Sequence, residues 1–440
     1  MKFSMSRYDY PSINSLELCV AFTNSELMSS ACPKKYGYSY IENIDYKSFS
    51  YAMTYGTCWH YMCEMFLNQM ILDDTTLDNE NMEEILENKV SIFIRSELDQ
   101  YYIEDKEETF EKIYTSLSLG MYGWMNNWKQ KIYPRFQVVG IERELIKPIF
   151  DREKVLKTKV SFIKEHHIDK TVIIRHPLIS ELTDNRYVNV KCGDYESRDA
   201  IYADQIEKEV PVYKVGKLDC ILLERDSNAL WILDHKTSGS PVTYAKKMQF
   251  DLQLYSYCSL LDYYIKTGRF DYLGNVFIGG IIWDITTSKF NKPSFDKDGY
   301  LKQVKRGYIT HSLAKNILQD VRYELMENEY DDYLEILKER DKSNFLLIEE
   351  MVSTKDIERV NNEEYANAIN ILNLRSKAHN LDPFDRIEQD RVLSRFPICM
   401  TYNYCQYFST CSTNLPITDP NLLHLNRIAK QYWIGDTDVV

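Results

Sequence analysis

Apolar residues recur at helical spacing in the amino-terminal third of the chain. Trp59, Met62 and Phe66 follow one another at intervals of three and four residues, which predicts a helix over residues 45–70. The next segment is acidic at first and then aromatic. It predicts two or three further helices over residues 80–132.

The apolar pattern changes from helical to strand-like after Pro134. Short apolar runs bounded by turn residues are typical of strands. The predicted strands cover residues 136–146, 212–224, 229–237 and 275–286, and a predicted helix covers residues 246–268. The residues from the last of these strands to about residue 390 are rich in charge, and their pattern predicts helices. This order of elements predicts an α/β fold with a mixed core and helical additions.

The predicted elements divide the chain into five segments. They are an amino-terminal segment over 1–45, a helical region over 46–135, an α/β core over 136–290 with an insertion at about 150–211, a helical addition over 291–390, and a carboxy-terminal segment with three cysteines over 391–440.

Composition and charge limit the classes of function. The chain has 440 residues and a net charge of −13, which argues against neutralising nucleic acid over the whole surface but allows a local basic channel. No apolar run approaches the ~20 residues that span a bilayer, so we expect no contact with membranes. The first residues contain no apolar signal segment, so the expected location is the cytoplasm, or the host cytoplasm if a phage encodes the chain.

The segment GKLDCILLERDSNALWILDHKTS, residues 216–238, contains the most informative polar residues. A hairpin would bring Asp219 beside Asp234, and Lys236 would share a strand face with Asp234. Carboxylates bind Mg²⁺ or Mn²⁺, and a lysine can stabilise developing negative charge. The segment therefore favours metal-assisted phosphodiester hydrolysis. The alternative is a strand that ends in solvent with an incidental Asp-His-Lys.

This segment resembles the core of the PD-(D/E)xK nuclease superfamily in its RecB-like branch. That branch includes nuclease domains of bacterial recombination helicase–nucleases, CRISPR-associated exonucleases and many phage proteins. The resemblance implies a restriction-endonuclease-like mixed β-sheet flanked by helices. It also implies metal binding by Asp219, Asp234 and the backbone carbonyl of His235, with Lys236 as a catalytic residue.

Two helical motifs extend the resemblance. The Gly-x-x-x-His motif of Gly56 and His60 implies that His60 is a further metal ligand. The Gln-x-x-x-Tyr motif of Gln253 and Tyr257 implies a catalytic-site wall that contacts DNA. For both motifs, the alternative is a residue that serves only helix packing.

The strand GIERELI, residues 140–146, resembles the family strand that carries an auxiliary catalytic glutamate. Glu142 and Glu144 are two residues apart, so a regular strand would point both to one face. The sequence therefore does not choose between them, and we prefer Glu142. The alternative is an exposed, charged edge.

Four cysteines form a candidate cluster site: Cys32, Cys399, Cys405 and Cys411. Because close Cys-x₂-Cys pairs are absent, spacing alone leaves zinc and iron–sulfur open. The resemblance to a subset of RecB-like nucleases implies a [4Fe–4S] cluster that joins the two ends of the chain. One departure is that Tyr402 occupies the position where the family more often has its next cysteine. The remaining cysteines are assigned to packing.

Basic residues near these motifs are candidate DNA contacts. They are Lys34, Lys35, Lys302, Lys305 and Arg306. The resemblance implies a metal-dependent DNA exonuclease that acts on single strands or DNA ends. Its expected role is in recombination, repair or phage replication, with a helicase or a recombination protein as partner. The alternatives are a non-catalytic iron–sulfur scaffold that binds DNA or a helicase, and an enzyme that acts on RNA.

Overall fold

The computed structural model describes residues 17–18, 20–29, 31–41, 44–46, 49–73, 76–166, 171–174, 202–248, 252–288, 344–378, 422–424 and 433–434. The chain divides into two compact units, and each unit is assembled from separate stretches. The first unit comprises Met1–Lys47, Leu145–Gly216 and Glu358–Val440, and the second comprises Ser48–Glu144 and Lys217–Ile357.

The described residues form helices and strands in a mixed order. The helices are α1 (Asn24–Ser29), α2 (Pro33–Tyr36), α3 (Tyr51–Asp73), α4 (Asn79–Ile85), α5 (Ser91–Asp99), α6 (Lys106–Asn127), α7 (Pro241–Met248), α8 (Gln253–Lys266) and α9 (Thr354–Ala378). The strands are β1 (Glu17–Leu18), β2 (Val20–Thr23), β3 (Ile44–Tyr46), β4 (Phe136–Pro148), β5 (Phe150–Asp151), β6 (Lys154–Val155), β7 (Lys157–His166), β8 (Thr171–Ile174), β9 (Tyr202–Glu224), β10 (Ala229–Ser238), β11 (Phe277–Thr287), β12 (Phe345–Met351), β13 (Leu422–His424) and β14 (Trp433–Ile434). Among these helices, none is long and apolar enough to cross a membrane.

The second unit contains a mixed sheet in the order β12–β11–β10–β9. Strands β9 and β10 form the predicted antiparallel hairpin, and Asn228 in its turn has a positive φ of 58°. Strand β10 runs parallel to β11, and β12 pairs antiparallel with the other side of β11. The predicted mixed α/β fold is therefore confirmed.

The strand β12 corrects the prediction of helices up to residue 390. Its sequence, FLLIEEM, is too short for its apolar pattern to separate a strand from a helix. Pairing with β11 decides its conformation, and that partner lies far away in sequence. The helix predicted over 246–268 is mostly α8, whereas its first residues belong to α7, which begins earlier at Pro241.

A layer of helices covers one face of the sheet in the second unit. The helix predicted over 45–70 is α3, but it begins at Tyr51, and residues 45–46 belong to β3. Helices α4, α5 and α6 account for the helices predicted over 80–132. Trp59, Met62 and Phe66 of α3 are fully buried in one apolar cluster with residues of α6, β9 and β10. Strand β10 is buried on both faces along its apolar run, which is the usual setting of a central strand with a parallel neighbour.

Four of the cysteines assigned to packing are buried and lie outside disulfides: Cys58, Cys63, Cys220 and Cys258. Burial raises the pKa of Cys58 to about 12, so that thiol remains protonated and packs as a small apolar side chain.

The first unit has a separate apolar core. The amino-terminal half of β9 pairs in parallel with β2 and antiparallel with β7, which in turn pairs with β8. The predicted insertion at 150–211 thus contributes sheet strands. Phe22, Val212 and Ile371 belong to the buried cluster that joins β2, β9 and α9.

Buried charges connect β4 and β9 to α9 in the first unit. Lys214 is fully buried and forms an ion pair with Glu364. The Nζ atom of Lys147 lies 3.0 Å from Oε2 of the same carboxylate. One buried anion therefore compensates two buried cations.

A second buried network joins α1, α2 and α9. The Nε–H group of Arg375 donates to the hydroxyl of Tyr36 at 2.7 Å, and that hydroxyl donates to Oε1 of Glu26 at 2.9 Å. Arg375 also forms an ion pair with Glu26. Burial raises the pKa of Tyr36, so the phenol stays protonated and acts as a donor.

We expect Glu364→Gln to destabilise the protein by about 3 kcal/mol, because two buried ammonium groups would lose their carboxylate. Urea unfolding followed by circular dichroism measures this change. The matched control is Glu358→Gln, an exposed position on the same helix, for which we expect a change below about 0.5 kcal/mol. Equal unfolding midpoints for the two variants would contradict the stabilising role of Glu364.

Candidate metal centre

The two acids of the hairpin lie just beyond the last backbone pair of β9 and β10. That pair is Leu233 with Cys220, so Asp234 and Asp219 are the next residue on each strand. The Oδ2 atom of Asp219 accepts a hydrogen bond of 2.9 Å from the backbone N–H of His235. The carboxylate of Asp219 thus accepts the backbone N–H of His235 in place of a backbone carbonyl from a paired strand.

His60 reaches the hairpin from α3. Its Nδ1 atom lies 3.2 Å from Oδ2 of Asp219. Gly56, one turn earlier, lies against β10: a Cβ atom added there would be 3.2 Å from Oγ1 of Thr237. A small residue at this position therefore allows the close approach of α3 that brings His60 to the acid.

Glu142 joins His60 and Asp219. One ligand atom from each of these three residues lies within 4.8 Å of the others. Glu142 has a φ of 49°, which is rare for a residue other than glycine and interrupts the alternation of β4. The expected equivalence of Glu142 and Glu144 is therefore wrong: Glu142 is half-buried and pairs with Lys217, whereas Glu144 is exposed.

Asp234 and Lys236 form an ion pair on β10, as their spacing predicts. Asp234 is 2% exposed. Burial alone would lower the pKa of Lys236, but the charges of Asp234 and Asp219 outweigh burial and raise it. Lys236 is therefore a permanent cation beside two acids.

The two acids differ in their electrostatic environment. Burial, together with the charge of Asp219, raises the pKa of Asp234. Burial also acts to raise the pKa of Asp219, but the hydrogen bond and charge of His60 and the charges of His235 and Lys236 lower it. The same contact with Asp219 overcomes burial and raises the pKa of His60. The local field thus holds Asp219 ionised.

The predicted helical motif lies at the start of α8. The side-chain amide of Gln253 donates to the hydroxyl of Tyr257 at 2.9 Å. Burial raises the pKa of Tyr257, and the charges of Asp234 and Asp219 raise it further. The phenol is therefore a neutral group within the field of the acids.

Three other predicted residues belong to the first unit, whereas the centre lies in the second. Lys34 is 2% exposed, with its ammonium 5.3 Å from the ring centroid of Tyr38, which does not favour a phosphate contact, whereas Lys35 is exposed. Cys32 is a half-buried free thiol that precedes α2. The remaining predicted cluster ligands and basic contacts lie outside the described residues: Cys399, Cys405, Cys411, Lys302, Lys305 and Arg306.

Two residues that the sequence analysis did not select lie beside His235. Oδ2 of Asp284 is 2.8 Å from Nδ1 of His235, and it accepts a hydrogen bond of 2.7 Å from Nε1–H of Trp124. The sequence did contain a signal for Asp284, because this acidic residue interrupts the apolar run of β11. A carboxylate within a strand buried on both faces requires polar partners.

The donors at the centre fit a divalent cation. Carboxylate oxygens from Asp219 and Glu142 are hard ligands that suit Mg²⁺ or Mn²⁺. The imidazole of His60 adds a nitrogen donor, which Mn²⁺ also accepts. Oxygen and nitrogen donors within one ion's reach, beside a half-buried lysine, are suited to phosphate chemistry.

The comparisons with known proteins agree with this geometry. The family model described as the PD-(D/E)XK nuclease superfamily matches residues 28–411. No curated protein matches the chain. The family match covers most of the sequence, including every element of the centre described above. The chain therefore belongs to the PD-(D/E)XK nuclease superfamily, whose members are metal-dependent nucleases.

Proposed function

We propose that this protein is a DNA exonuclease of the RecB-like branch that acts on single strands or DNA ends. The superfamily implies a metal-dependent nuclease with DNA as its substrate. The observation that carries the proposal is the convergence of His60, Glu142 and Asp219 beside the Asp234–Lys236 pair. The resemblance of the motifs of Gly56–His60 and Gln253–Tyr257 to RecB-like enzymes supports the exonuclease mode.

His60, Glu142 and Asp219 would hold the divalent ion, with Asp234 and the backbone carbonyl of His235 as further ligands. When bound, the ion would polarise a phosphate oxygen and lower the pKa of a bound water. In the structure, Glu142 pairs with Lys217, whose side chain is 60% exposed. Because that lysine can swing into solvent, the carboxylate of Glu142 can be released to bind the ion.

Lys236 has the charge and position to stabilise a phosphate in the transition state. It stays protonated because two acids lie beside it, and its partial burial strengthens its interaction with developing negative charge. Gln253 and Tyr257 form a neutral, hydrogen-bonded pair at the start of α8, which suits an orienting contact with the substrate. Lys35 and, outside the described residues, Lys302, Lys305 and Arg306 remain candidate DNA contacts.

The role in recombination, repair or phage replication, and a helicase or recombination protein as partner, rest on the resemblance alone. The same holds for the [4Fe–4S] cluster. Of its four predicted ligands, Cys32 is among the described residues, and its free, half-buried thiol is compatible with ligation.

Replacing Asp219 by Asn or Lys236 by Met should lower kcat for DNA cleavage ~100-fold or more, since each removes a charge used in the transition state. Asp219→Asn should also weaken Mn²⁺ binding measured by calorimetry, whereas Lys236→Met should retain it. The control is Lys266→Met, whose side chain is 70% exposed in an i,i+4 pair with Asp262; its kcat should be unchanged.

Linear and circular single-stranded DNA of one sequence test the exonuclease mode, with RNA of equal length as competitor. We expect cleavage of the linear strand alone and no competition by RNA. Equal cleavage of the circle would contradict the exonuclease mode. Full activity of Lys236→Met, or DNA binding without turnover in Mn²⁺, would contradict the catalytic assignment.

Replacing Cys32 by Ala should abolish the visible absorbance of an iron–sulfur cluster in anaerobically purified protein and reduce iron from about four atoms per chain. Cys258→Ala is the control, because that thiol is buried in packing. Wild-type protein with one zinc and no colour would contradict the iron–sulfur assignment while retaining a metal site.

A further inference from the structure

A chain of hydrogen bonds runs from the helical layer to the backbone of the candidate metal centre. It begins at Nε1–H of Trp124 on α6, passes through Oδ2 of Asp284 on β11, and reaches Nδ1 of His235 on β10. Asp284 is 1% exposed and His235 is 2% exposed. The polar chain therefore lies inside the apolar core of the second unit.

The strand register and the helix fix this arrangement. His235 and Asp284 are directly paired residues of the parallel strands β10 and β11, so their side chains lie next to each other. The ring centroid of Trp124 lies 5.9 Å from that of His235 in an edge-to-face arrangement. Because α6 supplies a donor to the carboxylate, its position and the side chain of His235 are linked.

His235 also contacts two of the candidate metal ligands. Its backbone N–H holds the carboxylate of Asp219 at 2.9 Å. Its ring lies 5.9 Å, centroid to centroid, from the ring of His60, with the two rings nearly perpendicular. The orientation of one buried residue therefore constrains a carboxylate ligand and an imidazole ligand together.

Core stability alone does not explain these polar groups. Apolar side chains of similar volume commonly replace buried charged groups with no loss of stability. Hydrogen bonds behind metal ligands, in contrast, fix the orientation of those ligands and set metal affinity. Trp124 and Asp284 hold His235, which contacts both Asp219 and His60. This placement favours a role in orienting the metal ligands.

We propose that Trp124 and Asp284 are positioning residues for the metal centre. Through the imidazole of His235, they fix the backbone N–H that holds Asp219 and the ring that packs against His60. This inference rests on the proposed function, since it assumes that Asp219 and His60 bind a divalent ion. It assigns no contact with DNA to either positioning residue.

The test compares Trp124→Phe with Trp128→Phe in the full-length protein. Both changes remove an indole N–H and keep an aromatic ring, and the Trp128 side chain is also buried. Within the described part of the chain, Nε1 of Trp128 has no hydrogen-bond partner, whereas Nε1 of Trp124 binds Asp284. Neither change alters the net charge.

Calorimetry with Mn²⁺ alone gives the affinity, and thermal unfolding gives the stability. We expect Trp124→Phe to weaken Mn²⁺ binding by about 10-fold and Trp128→Phe to leave it within about twofold. At saturating Mn²⁺, DNA cleavage by Trp124→Phe should recover. A purely structural role would lower the unfolding temperature of both variants and change neither affinity.

If Trp124→Phe does not fold, the comparison of His235→Asn with His235→Leu takes the place of the comparison of the two tryptophan variants. Asparagine keeps a donor near the position of Nδ1, whereas leucine removes it, and both retain the backbone groups of residue 235. Weaker Mn²⁺ binding for leucine alone supports the proposal. Equal Mn²⁺ affinities for the two variants of the pair that is used overturn the proposal. Wild-type protein that binds no Mn²⁺ would instead overturn the proposed function and the inference together.

Discussion

The carboxylate of Asp219 is the group on which the candidate site depends. Asp219 is half-buried, and an anion that is withdrawn from water is costly unless several partners compensate it. Here the backbone N–H of His235 donates to Asp219, and the ring of His60 lies at hydrogen-bonding distance. Those contacts draw together α3, β9 and β10, so the compensation of one charge also sets the geometry of the centre.

The packing of the second unit makes this compensation possible. Apolar residues of α3 and α6 pack against β9 and β10 in one buried cluster. Gly56 then lets α3 approach Thr237 closely enough for His60 to reach the acid. The same solution appears in the first unit, where Glu364 compensates two buried lysines. In each unit, buried charges occur in sets with internal partners.

His235, the residue between the acid and the lysine, makes contacts through both its backbone and its side chain. The backbone of His235 contacts Asp219, whereas its side chain points into the core and meets Asp284. A strand provides this separation, because adjacent side chains alternate between faces while the backbone stays in the sheet. The side chain of His235 therefore links the interior of the protein to the site, because its ring also lies edge-on to the ring of His60.

The sequence by itself determined the local features of this protein. Apolar periodicity predicted α3, the hairpin of β9 and β10, and the shared face of Asp234 and Lys236, because these depend on neighbouring residues. Tertiary structure alone decided the rest. The strand β12 and the partnership of Asp284 with Trp124 need contacts between distant segments. The difference in exposure between Glu142 and Glu144 accompanies a left-handed backbone conformation at Glu142, which no regular strand pattern contains.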